Sequence, residues 1–188
     1  MIKIGITGML SSGKSTTSKL LAGKKYPLFS ADKVVRNLYK KDFFKKILIK
    51  KFTLKKKNNI KSQIKNLVIY DKRKIRNLEK IIHPLVRKDM KNFANKNRKI
   101  KILFFEIPLL IESKLSTFFN VVLFVNANKK LRLKRFIKNG GSPKVFKILN
   151  ERQLSSQKKA KVCNHVINNN KSLKLLKKNV KGFLINYE

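Results

Sequence analysis

Ile2-Lys3-Ile4-Gly5-Ile6-Thr7-Gly8-Met9-Leu10-Ser11-Ser12-Gly13-Lys14-Ser15 opens the chain almost at its first residue, and its reading decides the fold. Residues 2 to 7 have the length and apolar character of a short buried strand, Gly8 ends it, and Ser15 to Ala22 follow as a helix rich in small polar residues. Between them Gly8 to Ser15 satisfies G-x-x-x-x-G-K-[ST] in the setting the pattern requires, after a strand and at the head of a helix. The chemistry explains the residue types. Main-chain N–H groups of the loop and of the helix N-terminus point at a phosphate, and side chains without bulk let the backbone approach it. Lys14 sets a cation against the β- and γ-phosphates, and the Ser15 hydroxyl suits Mg²⁺.

Working outward, Pro27 to Phe29, Ile100 to Glu106, Asn120 to Val125 and His165 to Ile167 read as further short strands. Helical patterns cover Ala31 to Tyr39, Phe43 to Ile49, Leu67 to Asn95, Lys129 to Lys138, Val145 to Gln157 and Ser172 to Ile185. Pro84 is expected to kink or break the longest of them, and the lysine-rich stretch 55 to 65 shows no clear period. Strands alternating with helices, with near-continuous apolar runs, predict an α/β fold of the P-loop NTPase type: a parallel sheet covered by helices on both faces. One domain is expected over 1–188. Its core comprises 1–40, 98–138 and 160–188, with a helical insertion at 41–97 and a lid at 139–159 hinged on Gly140 and Gly141.

The 188 residues carry 48 Lys or Arg against 9 Asp or Glu, a formal charge of +39 on a chain that is 42% hydrophobic. A disordered polycation and a membrane protein are both excluded, since no apolar run approaches the roughly 20 residues of a membrane span. A charge this large is the usual footprint of nucleic-acid binding. Only 8 of the cations are arginine, however, and they form no tract or stripe, so the excess reads as compositional and no specific nucleic-acid partner is expected. The strand-like start leaves no room for an export leader, and a lone Cys163 makes no intramolecular disulfide. Cytoplasmic residence is the expectation, as a monomer or weak homo-oligomer.

No Asn-Lys-x-Asp or Asp-x-x-Gly motif of a GTPase occurs, nor a Leu-Ser-Gly-Gly transporter signature. A small-molecule kinase remains. With nine carboxylates, each can be weighed. Asp42, Asp71, Asp89 and Glu79 lie in lysine-dense helical stretches and read as solvated surface pairs. Asp32, just past the second strand, is either a proton acceptor for a substrate hydroxyl or a helix cap. Glu106 ends an apolar strand where a Walker-B acid would oppose Mg²⁺ through water, and Glu112 either orients a substrate group or caps a turn. His83 is an acceptor contact or a structural histidine at a helix kink. His165 reads as structural, and two distant histidines with one cysteine make no zinc site.

Four segments resemble the dephospho-CoA kinase family, in order and across most of the chain. They are Gly5 to Thr16, Ser30-Ala31-Asp32-Lys33-Val34-Val35-Arg36, the His83-Pro84 element within Leu78 to Val86, and Glu106-Ile107-Pro108-Leu109-Leu110-Ile111-Glu112. Weaker echoes are Leu133-Lys134-Arg135, Arg152-Gln153 and His165 to Asn169. The resemblance implies ATP-dependent phosphorylation, with Mg²⁺, of the ribose 3′-hydroxyl of dephospho-coenzyme A. It places ATP on Gly8, Ser11, Ser12, Gly13, Lys14, Ser15 and Thr16, and Mg²⁺ on Ser15 and Glu106. Asp32 becomes the general base, and the acceptor falls to Arg36, His83, Pro108, Leu109 and Glu112. Ser30 stands where the family has a first Asp, Asn168 where it often has Asp, and Asn139 where many members have an arginine before the lid. The cation for the transferring group therefore falls to Arg135, Lys138 or Arg132. The nearer alternative is another small P-loop kinase acting on a nucleoside, nucleotide or metabolite; the farther one is a nucleic-acid-binding NTPase.

Overall fold

The computed structural model describes residues 1–55, 59–69 and 71–188. Residues 56–58, part of the stretch without a readable period, and residue 70 lie outside the described residues. In chain order the elements are β1 (Ile2–Gly8), α1 (Lys14–Ala22), β2 (Leu28–Ser30), α2 (Ala31–Leu38), α3 (Asp42–Phe52), α4 (Ile60–Val68), α5 (Lys72–Lys96), β3 (Ile102–Glu106), β4 (Val121–Asn126), α6 (Lys129–Lys138), α7 (Pro143–Glu151), α8 (Ser156–Val162), β5 (His165–Asn168) and α9 (Leu173–Ile185). They form two compact units, Met1–Ser30 with Ala94–Glu188, and Ala31–Phe93.

The first unit holds a five-stranded sheet in the order β2-β3-β1-β4-β5, parallel at every pairing. All carboxyl ends therefore meet one edge: Gly8, Ser30, Glu106, Asn126 and Asn168. From central β1 the chain runs first to the β2–β3 side and later to β4–β5, and ligands of open parallel sheets bind at the carboxyl edge where that direction reverses. Side-chain alternation sets the layers. Ile4, Ile6, Ile102, Phe104, Leu123 and Val125 share one core with Leu21 and Ala22 of α1 and Leu176, Val180 and Phe183 of α9. On the opposite face, Gly5 lies so close to Leu110 and Phe119 that a Cβ would stand 2.6 and 2.9 Å from them, and Phe105 meets the rings of Phe118 and Phe119 edge-on.

The second unit is helical. Leu38, Phe44, Leu48, Leu54 and Ile64 form its buried centre, with Val34 of α2 and Leu78, Ile81, Ile82 and Leu85 of α5 packed against it. The α5 positions recur at the spacing of one helix face.

One expectation is narrowed and one is corrected. Pro84 does not end α5, which runs for 25 residues through it. Proline removes one N–H and opposes the carbonyl of Lys80, but both residues are exposed, so water can satisfy that carbonyl. The single helix expected over Val145 to Gln157 is two, because Ser155 is extended at ψ 154° and its hydroxyl accepts from the Lys158 N–H to start α8. No helix among the described residues is long and apolar enough to cross a membrane.

Candidate active site

The loop between β1 and α1 is bent by two left-handed residues, Ser11 at φ 57° and Gly13 at φ 93°. Alternating handedness turns successive N–H groups to one side, the arrangement that makes an anion-binding nest. Glycine at 13 is doubly required: its φ is strained for other residues, and a Cβ would lie 2.2 Å from Asn169 Nδ2. The outward carbonyls are gripped by side chains from far along the chain. Leu10 O accepts from Arg132 Nη1 at 3.3 Å, and Ser12 O accepts from Asn169 Nδ2 at 2.9 Å and Arg135 Nη1 at 3.4 Å. A trans peptide is planar, with its C=O and the following N–H on opposite sides. Holding these carbonyls outward turns the Ser11 and Gly13 N–H groups inward, and the first turn of α1 adds N–H groups that have no intrahelical acceptor. Lys14 Nζ donates to Gly8 O at 3.2 Å and Met9 O at 3.1 Å, so its ammonium curls over the loop. Ser15 and Thr16 are exposed, whereas the Ser12 side chain is fully buried and offers a ligand only main chain.

Period-two alternation puts Glu106 on the face of the sheet that α1 covers, together with Phe104. There Ser15 Oγ donates to Glu106 Oε1 at 2.5 Å, and Glu106 is only 5% exposed. A hydroxyl and a carboxylate are hard oxygen donors of the kind Mg²⁺ takes alongside phosphate oxygens and water, so this pair fits the ion. No group of three or more His, Cys, Asp or Glu that could hold a metal occurs among the described residues.

Pro108 and Leu109 occupy the turn after β3. Pro108 O accepts from Thr7 Oγ1 at 3.0 Å and from Lys159 Nζ at 3.4 Å. Glu112 Oε1 pairs with Lys159 Nζ at 2.9 Å and accepts from Leu154 N at 3.0 Å. This carboxylate thus ties the turn to the α7–α8 junction. Lys159 is fully buried, and removing one member of a buried pair leaves the other charge uncompensated, typically at 3–5 kcal/mol. Glu112 keeps some solvent, so Lys159→Met is expected to cost about 3 kcal/mol. Thermal unfolding should show it as a fall in Tm of about 10 °C, and a shift near zero would mean that the pair contributes nothing.

Among the three cations considered for the transferring group, Arg135 of α6 stands beside the loop and also donates to Asn169 O at 3.1 Å. Arg132 is buried and committed to Ala127 O and Asn150 Oδ1, at 3.0 and 2.8 Å; Lys138 is exposed. Cys163 is half-buried in this unit, and burial pushes its thiol up to about 11, which favours the protonated form over the nucleophilic thiolate.

Asp32, Arg36 and His83 belong to the second unit. Asp32 lies in the first turn of α2, one turn before Arg36 and on the same face, and both are exposed. His83 is half-buried on α5. Burial lowers its pKa, Glu79 opposes that and Arg87 adds to it, which favours the neutral imidazole able both to donate and to accept a hydrogen bond.

The sequence profile described as dephospho-CoA kinase matches residues 2–174. The chain belongs to that family. A dephospho-CoA kinase of Fusobacterium nucleatum is 35% identical over 188 residues, covering 96% of this chain and 95% of its own. Among solved structures, a protein of Thermus thermophilus superposes with a TM-score of 0.85 at 27% identity, covering 100% of this chain and 98% of its own. The dephospho-CoA kinase from Campylobacter jejuni shares the fold, with a TM-score of 0.65 at 22% identity over 99% and 97% of the two chains.

This dephospho-CoA kinase family member thus brings the expected ATP residues, Glu106 and Arg135 together in its first unit. Sequence reasoning assigned no role to Gln153, Lys159 or Asn169. Gln153 and Asn169 lay inside the weaker echoes of the family pattern, the one signal that pointed to them; Lys159, in a lysine-rich helix, carried none.

Proposed function

We propose that the chain transfers the γ-phosphoryl group of ATP to the ribose 3′-hydroxyl of dephospho-coenzyme A, giving coenzyme A and ADP. The observation that carries this reading is the family match over nearly the whole chain, and it is supported by the bent phosphate loop, its lysine over that loop and the Ser15–Glu106 hydrogen bond. Phosphoryl transfer needs positioning and charge neutralisation more than covalent chemistry from the protein. Ser11, Gly13 and the first turn of α1 present N–H groups to the triphosphate, and Lys14 turns from its carbonyl partners to the β- and γ-oxygens. Ser15 and Glu106 would hold Mg²⁺, which would neutralise charge on the nucleotide phosphates. Arg135 stabilises charge on the transferring group. Asp32 accepts or orients the proton of the attacking hydroxyl, Arg36 grips acceptor phosphate, and His83, Pro108, Leu109 and Glu112 shape the acceptor side. Residues 41–97 would form the acceptor-binding insertion. Residues 139–159 would act as a lid that excludes water, hinged after α6 at Gly140, where φ is 81°.

The test is ADP release by the purified chain with dephospho-CoA, shikimate and nucleoside monophosphates as separate acceptors. Phosphorus NMR would place the new monoester on the ribose 3′-oxygen. Turnover with dephospho-CoA alone is expected; turnover with another acceptor and none with dephospho-CoA would overturn the reading.

A further inference from the structure

Asn169 follows β5 at the carboxyl edge of the sheet and is only 7% exposed. Its main-chain N–H donates to Asn126 O at 2.8 Å, its carbonyl accepts from Arg135, and its carboxamide N–H donates to Ser12 O at 2.9 Å. The residue is held from both sides so that one donor reaches the phosphate loop. Gln153 approaches the same loop from the other end. Its Oε1 accepts from Leu10 N at 2.7 Å, and its Nε2 stands 3.5 Å from Gly8 O. A backbone N–H can only donate, so the carboxamide orientation of Gln153 follows from that contact.

We propose that Asn169 and Gln153 are positioning residues for nucleotide phosphate: their carboxamides hold the loop's outward polar groups and thereby keep the Ser11 and Gly13 N–H groups turned toward the ligand. The loop contains Met9, Leu10, Ser11 and Ser12 between its two glycines, so non-glycine residues must be held in shape. Ser11 in particular occupies a left-handed conformation that costs a side-chain-bearing residue about 1 kcal/mol or more. The two carboxamides offset that tendency to relax. They also join the loop to two remote segments, the α7–α8 junction and the end of β5, so a displacement of either is felt at the phosphate site. The inference rests on the loop's role as the ATP phosphate site and not on the identity of the acceptor.

The test is the affinity of Asn169→Ala, Asn169→Asp and Gln153→Ala for the β,γ-imido analogue of ATP, measured by calorimetry, with the KM for each substrate alongside. Loss of one neutral hydrogen bond predicts a Kd raised about threefold to tenfold in Gln153→Ala and Asn169→Ala. Asn169→Asp is expected to lose more than Asn169→Ala, because it removes the donor and sets a carboxylate against the Ser12 carbonyl. The KM for acceptor should stay within about twofold in Gln153→Ala, since an interaction confined to ATP leaves the other substrate alone. In that variant the amide resonances of Ser11 and Gly13 should shift while melting is unchanged. Should Asn169 variants fail to fold, Gln153→Ala, at a half-buried surface position, decides alone. Unchanged analogue affinity in Gln153→Ala, or equal loss toward ATP and acceptor, overturns the proposal. If the unaltered chain binds the analogue but does not turn over dephospho-CoA, the acceptor assignment fails while these affinities still test the positioning role.

Discussion

Lys14→Met lowers kcat/KM by about 10²- to 10³-fold, the size of effect seen when one preorganised charge-stabilising donor is removed. Methionine keeps most of the aliphatic stem, so packing of the half-buried side chain survives, and what disappears is the ammonium. That ammonium is held by Gly8 O and Met9 O. Triphosphate must displace these neutral acceptors with anionic oxygens, which make shorter and roughly twice stronger hydrogen bonds. Since charge on the β–γ bridge grows as the bond to the γ-phosphorus loosens, the loss falls on both ATP affinity and kcat. Steady-state kinetics with ATP varied, together with calorimetry, would separate the two. A variant that keeps kcat and loses only affinity would show that Lys14 binds the ground state without assisting transfer.

The phosphate loop was legible in the sequence because it is local. Eight consecutive residues carry the bend, the cation and the hydroxyl, and a strand and a helix on either side are implied by short-range patterns alone. The strands were legible for a similar reason, as buried runs such as Ile102 to Phe105 admit few other readings. The order β2-β3-β1-β4-β5 was not, since register and neighbours are set by long-range packing that no window of sequence contains. Helix interruptions were only partly legible. Pro84 signals a kink or a break, and α5 continues through it with the lost hydrogen bond at exposed residues, whereas Ser155, an ordinary small polar residue, starts a new helix. The groups that support the loop were least readable. Asn169 acts across 157 residues of chain and Gln153 across 143, and each meets backbone, so no partner residue type marks the contact. The ion pair of Glu112 was unreadable for the same reason, since nothing in its motif marks the buried Lys159 that the fold sets at its side.

Asp32→Asn is expected to cut kcat by about 10²-fold, near the lower end of what removing a general base costs. That end applies because the transition state of phosphoryl transfer is loose, so the hydroxyl proton leaves late and deprotonation contributes less than in acyl transfer. Asparagine matches aspartate in shape but accepts no proton, and at an exposed position in the first turn of α2 the exchange leaves the buried residues of that unit untouched. The affinity for ATP should stay within about twofold of the parent, because no phosphate contact has been changed. The two substitutions therefore leave opposite signatures: Lys14→Met weakens ATP and slows transfer, and Asp32→Asn slows transfer alone. Asp32→Glu discriminates further, since it keeps a proton acceptor but moves it by one methylene, and it should recover part of the rate that Asn loses. If Asp32→Asn turns over within about threefold of the parent, or if glutamate is no better than asparagine, the hydroxyl proton leaves without help from this carboxylate and the base must be sought elsewhere.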